Sequence, residues 1–170
     1  MKDELLVRWL LSKGADPNFG CPQERKLNAM EADNESGFAL DESAATSTTE
    51  VFDLLIDGGA KMEYSVALHR AVETTEAHGD PTHMVKHLLE LGFNIDGQDN
   101  HVRGPRGRGS PLTSTVQYRD VERARFLLEN GADPYLKTWW GKSAFDQATR
   151  RRDTEFLDFF QKYLLVKKNS

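Results

Sequence analysis

Three groups of side chains have types and spacings that could do chemistry. His83 and His87 stand four apart, on one face of any helix that carries them, with His78 just before. Such a pair can donate two nitrogens to zinc, but a tetrahedral site needs four ligands, and no carboxylate or thiol lies at an obvious spacing. No metal and no cofactor is therefore expected. A second group is the run Arg103-Gly104-Pro105-Arg106-Gly107-Arg108-Gly109, a basic loop in an otherwise acidic chain. Its glycines lack the preceding strand and following lysine of a phosphate cradle. Two readings stay open for its arginines. Arg103, Arg106 and Arg108 can grip phosphate, RNA or an acidic peptide through their guanidinium forks, or they can serve a solvated insertion that buries nothing. The third group is Trp139 and Trp140, adjacent indoles next to Gly141 with Tyr135 and Lys137 close by. In an extended segment only one of two neighbours faces inward, so one indole is expected to stay exposed as a binding anchor.

No nucleophile, base and orienting group come together at a recognisable spacing, and an enzyme is not expected. The chain has 170 residues, 38% of them hydrophobic and 29% charged, a mixture that folds as one domain with its own core. Its 27 acidic and 22 basic residues give a net charge of -5, which argues against wholesale binding to nucleic acid or anionic membrane. The single cysteine, Cys21, cannot form an internal disulfide. The amino terminus has charges inside its apolar stretch and does not read as a signal peptide, and no run is long enough to span a bilayer. An intracellular protein, cytoplasmic or nuclear, is the expectation.

The elements that must position these side chains are legible as a repeat. Trp9-Leu10-Leu11-Ser12-Lys13-Gly14-Ala15-Asp16-Pro17 recurs as Phe126-Leu127-Leu128-Glu129-Asn130-Gly131-Ala132-Asp133-Pro134. Weaker copies end at Gly59 and Gly92. Each reads as an amphipathic helix closed by a glycine in the left-handed conformation. A second motif opens a helix: Phe38-Ala39-Leu40-Asp41, Val66-Ala67-Leu68-His69, Ser110-Pro111-Leu112-Thr113 and Ser143-Ala144-Phe145-Asp146. A small residue follows each at Ser43, Ala71, Thr115 and Ala148, where two helices can approach closely. Ser110 before Pro111 is a favourable helix opening, and Ser143 with Asp146 resembles it.

Together the two motifs resemble the ankyrin repeat, most clearly over residues 131 to 146, and the resemblance covers nearly the whole chain. It implies an all-α solenoid of stacked antiparallel helix pairs with projecting hairpins, of about four and a half repeats. The half repeat takes 1–18 and the full repeats about 38–62, 66–96, 110–136 and 143–165. Intervals between the closing glycines are 45, 33 and 39 residues. Set against a family period of about 33, the first and third call for insertions at 19–37 and 97–109. The second hides a shortened hairpin after Gly59 and an insertion at 74–82, because Leu68 to Gly92 is 24 residues against 19 for Leu40 to Gly59 and for Leu112 to Gly131. Helix pairs are expected near 39–46 with 48–58, 66–75 with 81–91, 111–118 with 120–130 and 144–151 with 153–164.

The first helix is a second helix without its partner. Its stripe of Leu5, Leu6, Trp9 and Leu10 calls either for repeats upstream of Met1 or for a partner against its open side. His69, Asp41, Thr113 and Asp146 fill one slot of the motif and are expected to bond the helix-start backbone. The resemblance further implies a protein-binding module, an adaptor or regulatory subunit with no small-molecule substrate. Its contact face falls on Glu42, Arg70, Gln117, Tyr135, Lys137, Trp139 and Trp140.

Overall fold

The computed structural model describes residues 2–20, 35–74, 82–99 and 108–168. His78, Cys21, Arg103 and Arg106 lie outside them, as do most of the three expected insertions. Every regular element among the described residues is helical: α1 Lys2–Ser12, α2 Phe38–Thr46, α3 Thr49–Asp57, a single 3-10 turn at Met62–Tyr64, α4 Ala67–Glu73, α5 His83–Glu90, α6 Pro111–Tyr118, α7 Val121–Glu129, α8 Ala144–Arg151 and α9 Thr154–Lys168. These begin and end within a few residues of the bounds read from the spacing. No helix among the described residues is long and apolar enough to cross a membrane.

The chain divides into two compact units, Met1–Phe93 and Asn94–Ser170. In the first, α2 packs along α4, each against its own second helix, and α1 lies on α3. Leu40, Phe52, Ala67, Leu68, Val72, Val85 and Leu88 form its core, all 2% exposed or less. In the second, α6 packs on α7 and α8, and α8 on α9, around Leu112, Val116, Ala124, Leu127, Leu128, Phe156 and Phe160. Burying one such leucine or phenylalanine contributes about 1.5–3 kcal/mol. The four small residues of the helix-start motif, Ser43, Ala71, Thr115 and Ala148, are all buried, as close helix approach requires.

All four second helices that carry the glycine motif close in one way. Gly14, Gly59, Gly92 and Gly131 have φ of 83°, 95°, 94° and 102°. The amide of the following residue donates five residues back, from Ala15 to Leu10, Ala60 to Leu55, Phe93 to Leu88 and Ala132 to Leu127, at 2.9–3.1 Å. This is the Schellman closure, and glycine meets its left-handed requirement without a Cβ clash. Two first helices make the same turn without glycine. Arg119 after α6 and Arg152 after α8 sit at φ 60° and 53°, a conformation costing an L-residue on the order of 1–2 kcal/mol.

Helix starts differ between the units. In the second, side chains cap. Ser110 Oγ accepts the Thr113 amide, Asp120 the Arg123 amide at 2.9 Å, and Ser143 and Asp146 form a reciprocal capping box at 3.1 and 2.9 Å. In the first unit the N-cap residues of α2 and α4, Gly37 and Val66, make no side-chain cap. The serine before each accepts the first helical amide instead, Ser36 Oγ from Phe38 at 3.2 Å and Ser65 Oγ from Ala67 at 3.0 Å. Asp41 was expected to bond its own helix start. It reaches the next one, accepting Ser65 Oγ at 2.7 Å and the Val66 amide at 2.8 Å. Side-by-side packing of α2 on α4 puts that start within reach of the carboxylate, and the bond ties one helix pair to the next.

Candidate functional site

The hairpin between α7 and α8 carries the aromatic cluster, and its backbone is fixed by short-range polar bonds. Asp133 Oδ1 accepts the Tyr135 amide at 2.8 Å, the side-chain turn that aspartate favours. At the tip, Thr138 Oγ1 donates to the Lys142 carbonyl at 2.6 Å and Gly141 takes φ 77°. The preceding hairpin then holds this one. Asp96 Oδ1 accepts the Asp133 amide at 3.0 Å, and the Gln98 side chain acts as a two-point clamp. Its Oε1 accepts the Trp139 amide at 3.0 Å while its Nε2 donates to the Lys137 carbonyl at 2.8 Å.

On that fixed backbone, Tyr135 and Trp139 are each 49% exposed and Trp140 is 37% exposed. The indoles stand edge to face, centroids 5.4 Å apart at 82°, and Tyr135 leans on Phe145 at 5.5 Å. Neither indole is buried, which corrects the expectation that one would face inward. The hairpin here is a turn rather than an extended strand, so alternation of sides does not apply.

Lys137 is exposed but not free. Its Nζ donates to Asp146 Oδ2 at 2.5 Å and forms an ion pair with it. That bond, followed by the Ser143 amide, lowers the Asp146 pKa to about 2. Lys137 is therefore held by the carboxylate that also caps α8, and exposed Lys142 follows Trp140 by two residues.

The other residues read from the sequence lie on other elements. In the first unit, Glu42 and Arg70 pair with each other at 2.7 Å across α2 and α4, and Arg70 also approaches Glu73 at 3.8 Å. Gln117 is exposed in the last turn of α6, at the end of that helix away from the hairpin, where its carbonyl accepts from Arg151 at 3.1 Å. Arg108, the described arginine of the basic loop, packs over the Tyr118 ring at 5.0 Å and donates to its hydroxyl. The foot of that loop is built by Asp99. This fully buried carboxylate accepts the amides of Arg108 at 2.9 Å and Gly109 at 2.8 Å. His87 Nε2 meets Asp53 Oδ1 of α3 at 2.6 Å and sets its ring edge-on to Phe52. Among the described residues no group of three or more histidine, cysteine or acidic side chains is arranged to hold a metal ion.

The residues that the motifs did not single out are Asp96, Gln98 and Asp99. They follow the third closing glycine by four to seven positions, as Pro134 to Lys137 follow the fourth at three to six. Aligning the two post-glycine segments would have flagged them as facing hairpin positions.

An ankyrin repeat protein of Acanthamoeba polyphaga mimivirus, L91, is 30% identical over 140 residues, which is 77% of this chain and 20% of that protein. Ankyrin repeat and SOCS box protein 6 from Homo sapiens and from Pongo abelii are each 26% identical over 109 residues, 63% of this chain and 26% of their own. The chain thus spans only about a fifth to a quarter of the curated relatives it matches. No family model matches it. Four glycine-closed helix ends, the repeated helix starts, the all-α fold and these relatives have one common account: the chain is a solenoid of ankyrin-type repeats, similar to the ankyrin repeat proteins it matches.

Proposed function

We propose that this chain is a non-catalytic protein-interaction module, an adaptor or regulatory part, and that it contacts a partner protein through the hairpin between α7 and α8. The observation that carries this reading is the pair of half-exposed indoles, Trp139 and Trp140, on a backbone clamped by Gln98. Aromatic anchors bury large area while freezing few rotors, and a backbone that is already fixed loses little entropy on binding. Glu42 and Arg70 in the first unit and Gln117 in the second are further proposed contact residues, each within its own unit, with Glu42 and Arg70 available to a partner only by exchange of their mutual ion pair. The relatives' names, all of ankyrin-repeat proteins, support the same class of function. We further take the single helix α1 and the four helix pairs as about four and a half repeats.

The test is capture from native extract with intact chain, Trp139→Ala and Trp9→Ala side by side. A partner retained by the intact chain and by Trp9→Ala, and lost with Trp139→Ala, supports the reading. Retention of every specific partner by Trp139→Ala contradicts it.

A further inference from the structure

One end of the second unit carries a feature that the aromatic hairpin does not explain. Between the α6–α7 turn and the α8–α9 turn lies an open cleft of about 460 Å3, lined by Arg119, Arg151, Arg152, Asp153, Thr154 and Glu155. Three arginines thus line one cleft in a chain whose net charge is -5.

Their placement is repeated and conformationally costly. Arg119-Asp120 and Arg152-Asp153 are the same dipeptide 33 residues apart, one repeat period. In both, the arginine takes the left-handed conformation at the end of a first helix. Glycine or asparagine would meet that backbone need at lower cost, and the second-helix ends of this chain do use glycine there. Non-glycine residues held in this region cluster at ligand sites, where the side chain repays the strain of the backbone.

The guanidiniums also retain donors. Arg119 Nε meets Asp153 at 3.4 Å. Arg151 Nη1 donates to the carbonyls of Val116 at 3.3 Å and Gln117 at 3.1 Å, which fixes the head group and leaves its other N–H groups unengaged. Arg152 has no polar side-chain partner among the described residues. Of the two carboxylates, Asp153 is buried and turned to Arg119, so Glu155 alone offsets Arg151 and Arg152. The first amides of α9 add partial positive charge at the same edge.

We infer that the cleft formed by Arg119, Arg151 and Arg152 binds a phosphate group, as a phosphorylated side chain of a protein or as free polyphosphate. Planar guanidinium forks match phosphate oxygens two at a time, and three arginines on one cleft favour a multiply charged phosphate over a single carboxylate. The site stands apart from the proposed aromatic contact face and does not rest on it.

The test uses Arg119→Gly with Arg152→Gly in the full chain, because glycine satisfies both left-handed positions and keeps the fold. Calorimetric titration at physiological salt would use pyrophosphate, a phosphoserine peptide and its unphosphorylated counterpart. The expected result is binding of pyrophosphate or of the phosphopeptide by the unaltered chain, weakened about tenfold or more in the double variant with no fall in melting temperature. Preference for the phosphopeptide over both other probes assigns a protein source; equal or tighter binding of pyrophosphate assigns a free one. Failure of the unaltered chain to bind either phosphate probe, or equal binding by the double variant, overturns the inference.

Discussion

The side-chain amide of Gln98 bonds the main chain on both sides of Thr138, accepting from the Trp139 amide and donating to the Lys137 carbonyl. One residue of one hairpin thereby sets the backbone from which the exposed indoles of the next project. Gln98→Ala removes both bonds, each of which contributes about 0.5–1.5 kcal/mol. The expected outcome is faster hydrogen exchange at the Trp139 amide with unchanged protection at Leu127, read by two-dimensional NMR. Equal acceleration at both sites would mean that Gln98 supports the whole unit rather than the hairpin.

Leu127 and Leu128 are fully buried at the closing turn of α7. Replacing either by alanine is expected to cost about 2–5 kcal/mol, the range for buried leucines that leave a cavity. Urea unfolding followed by far-ultraviolet circular dichroism checks this, and a midpoint that stays in place for both variants contradicts the register of the helix pair.

Two glycines separate backbone strain from steric overlap. A Cβ on Gly131, at φ 102°, meets open space, so Gly131→Ala pays only the left-handed penalty of about 1–2 kcal/mol. Gly109 has φ 99° and a Cβ there would stand 2.1 Å from Thr138 Cγ2, at the foot of the basic loop. Gly109→Ala is therefore expected to lower the melting temperature further than Gly131→Ala, and Gly109→Ala with Thr138→Ser to recover part of the difference.

The Lys137–Asp146 pair gives a pH signature. The carboxyl titrates at about 2 in the folded chain against an ordinary 3.8, because Lys137 and the Ser143 amide bond its charged form. A depressed folded value means the contribution is complete above about 3.8 and is lost as pH falls toward 2. Asp146→Asn is expected to be less stable than the unaltered chain at pH 6, with the gap narrowing between pH 4 and pH 2; thermal melts across that range measure it. A gap independent of pH would mean that neither bond favours the charged carboxyl over the neutral one.

The helices were legible because their punctuation is local. Gly14, Gly59, Gly92 and Gly131 mark a conformation that few other residues adopt, and Ser110-Pro111 or Ser143 with Asp146 states a helix start within four residues. The site was legible only in part. Trp139 and Trp140 stand out by type, but their exposure depends on a turn at Gly141 that removes the side-to-side alternation of a strand. Glu42 and Arg70 were each readable as surface residues, whereas their mutual pairing depends on how α2 lies along α4. Gln98 and Asp41 act across 41 and 24 residues of chain, and a side chain's choice between its own turn and a neighbour's is made by packing rather than by propensity.

The most direct measurement is the dissociation constant of a captured, purified partner for the intact chain, Trp139→Ala and Trp140→Ala, each shown to melt at the same temperature. An anchor of this kind predicts a loss of about 2 kcal/mol or more, some thirtyfold in affinity, for at least one indole. Affinity unchanged in both variants would contradict the hairpin as the contact surface.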